Sequence, residues 1–300
     1  MTKTAIITDT DASLPLEIAR KYNIVQVPIM VQFGEESFKA VYDIDDAETF
    51  ARIDRTGKLP TTSAPSPGQF LEAYKTAFAQ GYDSVICITV SSEISATHNA
   101  AVNAAALMPE HDITVLDSQS LSMGQGLMVL AAAETVENDG SKESAIVAAQ
   151  SVRERTHLFA ALSTLKYLAM SGRVGHIAAG IAGLLDVKPI LTIRSSRLEM
   201  LEKVRTQSRA WQRTIDLTVE KAAGSPIEKM AIIHVNALEN AQKLEGLLRD
   251  FLPCPDEIIY AQLTPGLSVH SGAGLVGVVS VIREKSYSIQ SPKEESFHGR

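Results

Sequence analysis

The first half of the chain alternates short apolar runs with longer segments that have helical spacing. Residues 5–7, 84–90 and 113–116 form apolar runs, and each run ends in polar residues. Continuous runs of this length are typical of strands that are buried on both faces of a parallel sheet. Because helical patterns separate the strands, we predict right-handed crossovers and an α/β fold with a parallel sheet.

Two further features complete the predicted elements of this half. Residues 24–33 alternate and are rich in branched side chains, so they predict one strand, and Gly34 turns the chain into a hairpin near 24–41. The predicted helices cover 15–22, 45–56, 70–80, 99–107, 121–137 and 141–155.

The second half has a different order of elements, with neighbouring strands followed by helices. Strands are predicted at 158–162, 188–193, 198–204, 229–235, 257–261 and 276–282, and helices at 164–170, 207–223 and 238–251. This order favours an α+β arrangement with a mixed sheet. We therefore predict an N-terminal α/β domain at 1–156, a C-terminal α+β domain at 157–282 and a polar tail at 283–300.

Composition narrows the possible functions. The 300 residues carry a net charge of -7, which argues against a general nucleic-acid-binding or anionic-membrane surface. The N-terminus has no signal-peptide pattern, and no apolar run reaches membrane-spanning length, so we expect a soluble, cytoplasmic protein without stable membrane insertion. Cys87 and Cys254 lack a C-x-x-C partner and fit buried free thiols in a reducing compartment.

The stretch 61–70, TTSAPSPGQF, is a candidate anion site. Ser66 predicts a helix N-cap and Pro67 the first helical residue, which leaves Thr62 and Ser63 on a stiff turn beside a helix N-terminus. Such an end carries free N–H groups and a partial positive charge. The plainer interpretation, a well-capped helix with no ligand, stays open at this point.

A common edge of the predicted parallel sheet brings several polar loops together. Ligands of such sheets bind at the carboxyl ends of the strands. This rule places the loops 8–11, 91–97 and 117–120 along one edge. The stretch 61–70 belongs nearby, because its helix leads into the strand at 84–90.

Four other features of the sequence have alternative interpretations. Asp9 and Asp11 follow an apolar strand in the D-x-D pattern of Mg²⁺-dependent phosphatases or phosphotransferases, in which Asp9 would be the nucleophile and Asp11 the acid. The glycines at 272–277 form a G-x-G-x-x-G, but a strand rather than a helix follows, which argues against a dinucleotide site. His270 in a glycine-rich loop and Arg173 between two glycines could contact a ligand or be structural. The histidines lack metal-ligand spacing, so no metal site is predicted.

Taken together, six segments in order resemble the DegV family, over nearly the whole chain to about residue 282. They are TDTDASLP at 8–15, TSAPSPGQF at 62–70, SSEISAT at 91–97, LKYL at 165–168 with GRV at 172–174, KPIL at 188–191 and VHSGAG at 269–274. The chain differs from the family's pattern at Asp11, Ser13, Ala64 and Ala96.

The resemblance implies a bacterial carrier of two domains with a long-chain fatty acid buried between them. It implies that hydroxyls of Thr62 and Ser95 hold the acyl carboxylate, with Ser63, Ser92, Arg173 and His270 as further candidates. It also implies a partner, a separate fatty acid kinase subunit that phosphorylates the carboxyl group for lipid metabolism. No cofactor and no catalytic residue are implied, so we expect a binding protein rather than an enzyme. A carrier of another apolar acid, such as an isoprenoid acid or a sterol, is the remaining alternative.

Overall fold

The computed structural model describes residues 3–138, 140–172 and 187–283. The strands in chain order are β1 (Thr4–Asp9), β2 (Val25–Val27), β3 (Met30–Phe33), β4 (Glu36–Lys39), β5 (Thr61–Ser63), β6 (Ser84–Thr89), β7 (Asp112–Asp117), β8 (Thr156–Ala161), β9 (Lys188–Arg194), β10 (Arg197–Val204), β11 (Ile227–His234), β12 (Ile259–Gln262) and β13 (Val276–Ile282). The helices are α1 (Leu16–Lys21), α2 (Asp46–Thr56), α3 (Pro67–Ala79), α4 (Thr97–Ala106), α5 (Met123–Glu137), α6 (Lys142–Arg155), α7 (Lys166–Met170), α8 (Gln207–Ala222), α9 (Leu238–Phe251) and α10 (Pro265–Ser271), and Thr10–Ala12 form a 3-10 helix.

A parallel four-stranded sheet of order β2-β1-β6-β7 confirms the α/β prediction for the first half. The two central strands, β1 and β6, are buried along their whole length, as their continuous apolar runs predicted. The predicted common edge is also present. The Val90 N–H donates to Asp9 Oδ2 at 2.9 Å, and the Ser91 N–H donates to the carbonyl of Ser120 at 2.8 Å.

The prediction of one strand at 24–33 was wrong. Pro28, which has no N–H to donate to a strand ladder, separates β2 from β3. Strand β2 completes the parallel sheet, and β3 forms the predicted hairpin with β4 in a separate sheet of order β4-β3-β5. Residues 61–63, expected on a turn, therefore form a strand, and Thr62 pairs with Val31.

A six-stranded mixed sheet of order β10-β9-β8-β13-β11-β12 occupies the second half and confirms the α+β prediction. Its pairs are antiparallel except for β11 and β12, which are parallel. The division of the chain at residue 156 into two domains stays a prediction. Of the predicted tail, only Arg283 lies within the described residues.

Helix α5 lies between the parallel and the mixed sheet. It contacts β1 and β6 on one side and β8 and β11 on the other. Every residue from Met123 to Ala133 is buried, which is expected of a helix that is apolar all round. The core that includes α5 therefore draws side chains from both sheets, such as Ile86 and Leu158.

Three smaller observations bear on the other predictions. Both cysteines are free, but only Cys87 is buried, whereas Cys254 is partly exposed. The capped start of α3 is confirmed, because Ser66 Oγ accepts from the Gln69 N–H while Gln69 Oε1 accepts from the Ser66 N–H. No helix in the described ranges has the length and hydrophobicity that a membrane span requires.

Candidate functional site

A cavity of about 450 Å³ is lined by strands of the mixed sheet, by α10 and by loops that follow strands of the parallel sheet. Most of its wall is aliphatic, and the leucines among the lining residues are Leu121, Leu158, Leu162, Leu168, Leu191, Leu198, Leu263, Leu267 and Leu275. The polar lining side chains are fewer, and they are Asp11, Thr62, Glu93, Ser95, Arg197, His270 and Ser271. A mainly apolar cavity with a few convergent polar groups is the usual form of a small-molecule site.

Thr62 and His270 meet at the cavity wall. Thr62 is the middle residue of β5, and its Oγ1 shares a hydrogen bond of 2.9 Å with Nε2 of His270. The prediction of His270 in a loop was wrong, because it lies in the last turn of α10. Pro265 at the first helical position and Gly272, with φ of 82°, set the two ends of this short helix.

Ser95 lines the same cavity from the loop that follows β6. Its Oγ shares a hydrogen bond of 2.8 Å with Oγ1 of Thr97, the first residue of α4. The free N–H groups and partial positive charge of that helix N-terminus thus lie next to the Ser95 hydroxyl. The arrangement suits an anionic oxygen that accepts hydrogen bonds.

The remaining predicted contacts differ in position. Ser63 is exposed and follows Thr62 along β5, so it belongs to the opposite face of that strand. Ser92 Oγ donates to Asp117 Oδ2 at 2.6 Å and is not among the lining residues. Arg173 lies outside the described residues. The structure thus brings Thr62, Ser95 and His270 to one cavity, and it engages Ser92 elsewhere.

An exposed ion pair marks one end of the cavity. Arg197 and Glu93 both line the cavity, and Arg197 Nη2 lies 2.6 Å from Glu93 Oε2. Their side chains are 49% and 44% exposed, so the cavity reaches solvent beside them. Ser95 is two residues from Glu93, which puts its hydroxyl near this open end.

Asp9 does not have the surroundings of a phosphoryl-accepting nucleophile. Its side chain is fully buried and accepts hydrogen bonds from the Asp11 N–H, the Val90 N–H and Gln125 Nε2 at 2.9, 2.9 and 3.1 Å. Burial nevertheless raises the pKa of Asp9 to about 6. These bonds tie together β1, β6 and α5, so the geometry favours a structural role.

Three hydrogen bonds that the sequence analysis missed hold α10 and the end of β12 in place. Asp46, at the start of α2, accepts from Ser268 Oγ at 2.5 Å and from Gln262 Nε2 at 3.2 Å. Thr264 Oγ1 donates to the carbonyl of Thr10 at 2.9 Å. Burial raises the pKa of Asp46 to about 7. The acidic start of α2 was the only sequence signal for Asp46, and nothing local pointed to Ser268.

The chain is similar to proteins of one known family over nearly its whole length. The matching family model is described as an uncharacterised protein of the DegV family and covers residues 3–283. A DegV domain-containing protein of Streptomyces coelicolor is 34% identical over 92% of this chain and 97% of its own length. Protein DegV of Bacillus subtilis is 30% identical over 91% of this chain and 97% of its own length.

Solved structures show the same fold. A Thermus thermophilus structure, described as fatty acid binding of a DegV family protein, has a TM-score of 0.87 and 26% identity. It matches 94% of this chain and 100% of its own chain. The structure of DegV from Bacillus subtilis, described as a fatty acid binding protein, has a TM-score of 0.84, 29% identity and the same two coverages.

Proposed function

Because the chain belongs to the DegV family, we propose that it binds a long-chain fatty acid, with the alkyl chain in the leucine-lined cavity and the carboxylate at Thr62 and Ser95. The observation that carries the proposal is that Thr62 and Ser95 line one cavity although they come from separate parts of the fold. Thr62 comes from the small sheet, and Ser95 comes from the loop after β6. The solved relatives described as fatty acid binding support the same ligand class.

The wall of the cavity supplies most of the affinity in this proposal. Burial of an alkyl chain contributes about 0.8 kcal/mol for each CH₂ group. The cavity volume of about 450 Å³ lies within the range of about 300–1,000 Å³ that small-molecule sites occupy. A flexible saturated chain needs no polar partner along such a wall.

The carboxylate needs hydrogen bonds, because an ionised group that is buried without them is strongly disfavoured. Thr62 and Ser95 each offer one hydroxyl proton, and bonds to a charged acceptor are stronger than bonds between neutral groups. His270 supports Thr62 through their shared bond. The additional contact through Arg173 stays a prediction.

We propose further that the protein presents the fatty acid carboxyl group to a separate kinase subunit in the cytoplasm and does not itself catalyse phosphorylation. The exposed Glu93–Arg197 pair at the open end, two residues from Ser95, supports a head group within reach of a partner. In this reaction a carboxylate oxygen takes the γ-phosphoryl group of ATP, and ADP leaves.

Extraction of the purified protein followed by lipid mass spectrometry tests the ligand. We expect a long-chain fatty acid, together with stoichiometric rebinding after its removal. Leu198→Trp, which fills the lining at β10, should abolish rebinding, whereas Leu247→Trp on the outer face of α9 should leave it intact. Recovery of a sterol or isoprenoid acid would favour the alternative carrier, and the absence of any bound or added acyl chain would contradict both.

The kinase step has its own test. The loaded protein is mixed with ATP, with and without fractions of a bacterial lysate, and acyl phosphate is trapped with hydroxylamine. We expect the trapped hydroxamate only when a kinase fraction is present. Its formation with purified protein and ATP alone would overturn the carrier assignment.

A further inference from the structure

Asp11 is a buried acid in the wall of the proposed fatty acid cavity. It lies in the 3-10 helix that follows β1 and is 6% exposed. Its Oδ1 has no hydrogen-bond partner among the residues that the structure describes. Buried polar atoms nearly always have a partner, so this carboxyl group is placed where a ligand could supply one.

The backbone around Asp11 holds the carboxyl group in position. The Asp11 N–H donates to Asp9 Oδ1 at 2.9 Å, and the Asp11 carbonyl accepts from the Ser122 N–H at 2.8 Å. Helix α10 also packs directly on the side chain, because a Cβ on Gly266 would lie 2.2 Å from Asp11 Oδ1. The contact with Gly266 therefore restricts rotation of the carboxyl group, and Asp11 lines the cavity in this fixed position.

The protonation state of Asp11 decides what it can bind. Burial and the negative charge of Asp9 hold the pKa of Asp11 well above its usual range. Asp9 accepts three hydrogen bonds that favour its ionised form, so the pair keeps its proton on Asp11. A neutral carboxyl group has one O–H donor and an acceptor oxygen, which matches an alcohol. It does not repel an anionic ligand as a second carboxylate would.

The position of Asp11 relative to the head-group site follows from α10. Gly266, which touches Asp11, and His270, which binds Thr62, are four residues apart on this helix. They are therefore about one helical turn apart along its axis. A ligand with its carboxylate at Thr62 would pass Asp11 several carbon atoms further along its chain.

We propose that the cavity prefers fatty acids that carry a hydroxyl group on the alkyl chain, and that Asp11 is the residue that recognises this group. The inference rests on the proposed fatty acid binding and specifies its ligand class. A hydroxyl at the right carbon satisfies the buried carboxyl group, whereas a plain methylene leaves it without a partner. Since the position of Asp11 is fixed, a hydroxyl group should increase binding affinity only near one position along the alkyl chain.

A binding series with the delipidated full-length protein tests the proposal. The probes are stearic acid and hydroxystearic acids that differ in the position of the hydroxyl group along the chain. We expect one position, or two adjacent ones, to bind about tenfold more tightly than stearic acid. Asp11→Asn, which keeps a donor and an acceptor, should retain the preference, and Asp11→Ala should lose it.

The outcomes separate this inference from the function on which it rests. Tight binding of stearic acid without a gain for any isomer would overturn the role of Asp11 and leave fatty acid binding intact. An equal gain for every isomer, or a preference that survives in Asp11→Ala, would also overturn it. Failure of all probes to bind the wild-type protein would remove both proposals. The wild-type series tests for a preference among the hydroxyl positions even if a variant does not fold.

Discussion

Thr62 Oγ1 and His270 Nε2 lie 2.9 Å apart, although 208 residues separate them in the chain. The bond joins β5 of the small sheet to α10, which packs on α2 and α7. A threonine hydroxyl has only one proton to donate. If His270 donates from Nε2, the Thr62 proton is released for a ligand oxygen, so His270 sets the direction in which Thr62 can act.

Removal of the Thr62 hydroxyl should weaken fatty acid binding. Thr62→Val keeps the shape of the side chain and its strand propensity, and we expect a loss of about 1–3 kcal/mol of binding free energy, because the carboxylate loses a partner. Thr61→Val is the matched control on the same strand, since Thr61 is exposed and does not line the cavity. Displacement titrations with a fluorescent fatty acid measure the affinity of each variant. Equal affinities in Thr62→Val and Thr61→Val would refute the assignment of Thr62 as a carboxylate contact.

The effects of Thr62 and His270 on binding should not add. Residues in one hydrogen-bond network show coupling energies of about 0.5–3 kcal/mol. We expect Thr62→Val, His270→Phe and the double variant to give a coupling in that range for fatty acid affinity. Full additivity across the cycle would mean that His270 does not orient Thr62.

Two serines in one loop should behave differently. Ser95→Ala should cost about 1–3 kcal/mol of binding free energy, because the Ser95 hydroxyl lines the cavity. Ser92→Ala removes the bond to Asp117 instead, so it should lower the free energy of unfolding by about 1 kcal/mol and leave affinity unchanged. Thermal melts and titrations of both variants check this, and a reversed pattern would exchange their roles.

Gly266 should tolerate no side chain. Gly266→Ala would put a Cβ 2.2 Å from Asp11 Oδ1 and 3.1 Å from Ile29 Cγ2, so we expect a loss of about 1–3 kcal/mol in the free energy of unfolding. Gly246→Ala on α9 meets nothing within 4 Å and should be neutral or stabilising by up to about 1 kcal/mol. Denaturant titrations compare the two, and a stable Gly266→Ala would show that α10 can move away from Asp11 and Ile29.

Asp46 should make stability depend on pH. Its pKa in the folded protein is raised to about 7, whereas an unfolded Asp titrates near about 4. The folded state therefore holds more protons between these values, and the free energy of unfolding falls as pH rises from about 4 to about 7. Above that window this contribution is constant.

The matching variants isolate this effect. Asp46→Asn should reduce the decrease in the free energy of unfolding between about pH 4 and about pH 7 by about 1 kcal/mol or more. Asp9, whose pKa is also raised, contributes a further part of this decrease. Asp45→Asn keeps a capping side chain at an exposed position and removes only a neighbouring negative charge, the smallest of the causes that raise the pKa of Asp46, so it should change the slope much less. Unfolding curves at several pH values measure the slope, and the same slope in Asp46→Asn and the wild-type protein would remove Asp46 from the explanation.

Local patterns predicted what depends on neighbours in sequence. The cap of α3 at Ser66 and the buried strands β1 and β6 follow from short-range chemistry and apolar runs, and the structure confirms them. The apolar run across Pro28 could not show where β2 leaves one sheet and β3 enters another. That change depends on pairing with β1 on one side and β5 on the other.

The site itself was only partly accessible to such patterns. Thr62, Ser95 and His270 came from ordered motifs, and the structure brings all three to one cavity. The rule for parallel sheets placed the loop 8–11 at the ligand-binding edge, but sequence patterns could not show that Asp11 contacts Gly266, more than 250 residues later. The hydrogen bond between Asp46 and Ser268 was equally inaccessible to local sequence patterns, since the two residues are 222 positions apart.

The position of α5 has a consequence for how the protein unfolds. A helix that is apolar on every side cannot remain in water, so α5 needs the cover of both the parallel and the mixed sheet. Loss of either sheet would expose the helix and remove its support for the other. The two halves of the chain should therefore melt in a single cooperative transition, and a fragment ending at residue 156 should aggregate rather than fold alone.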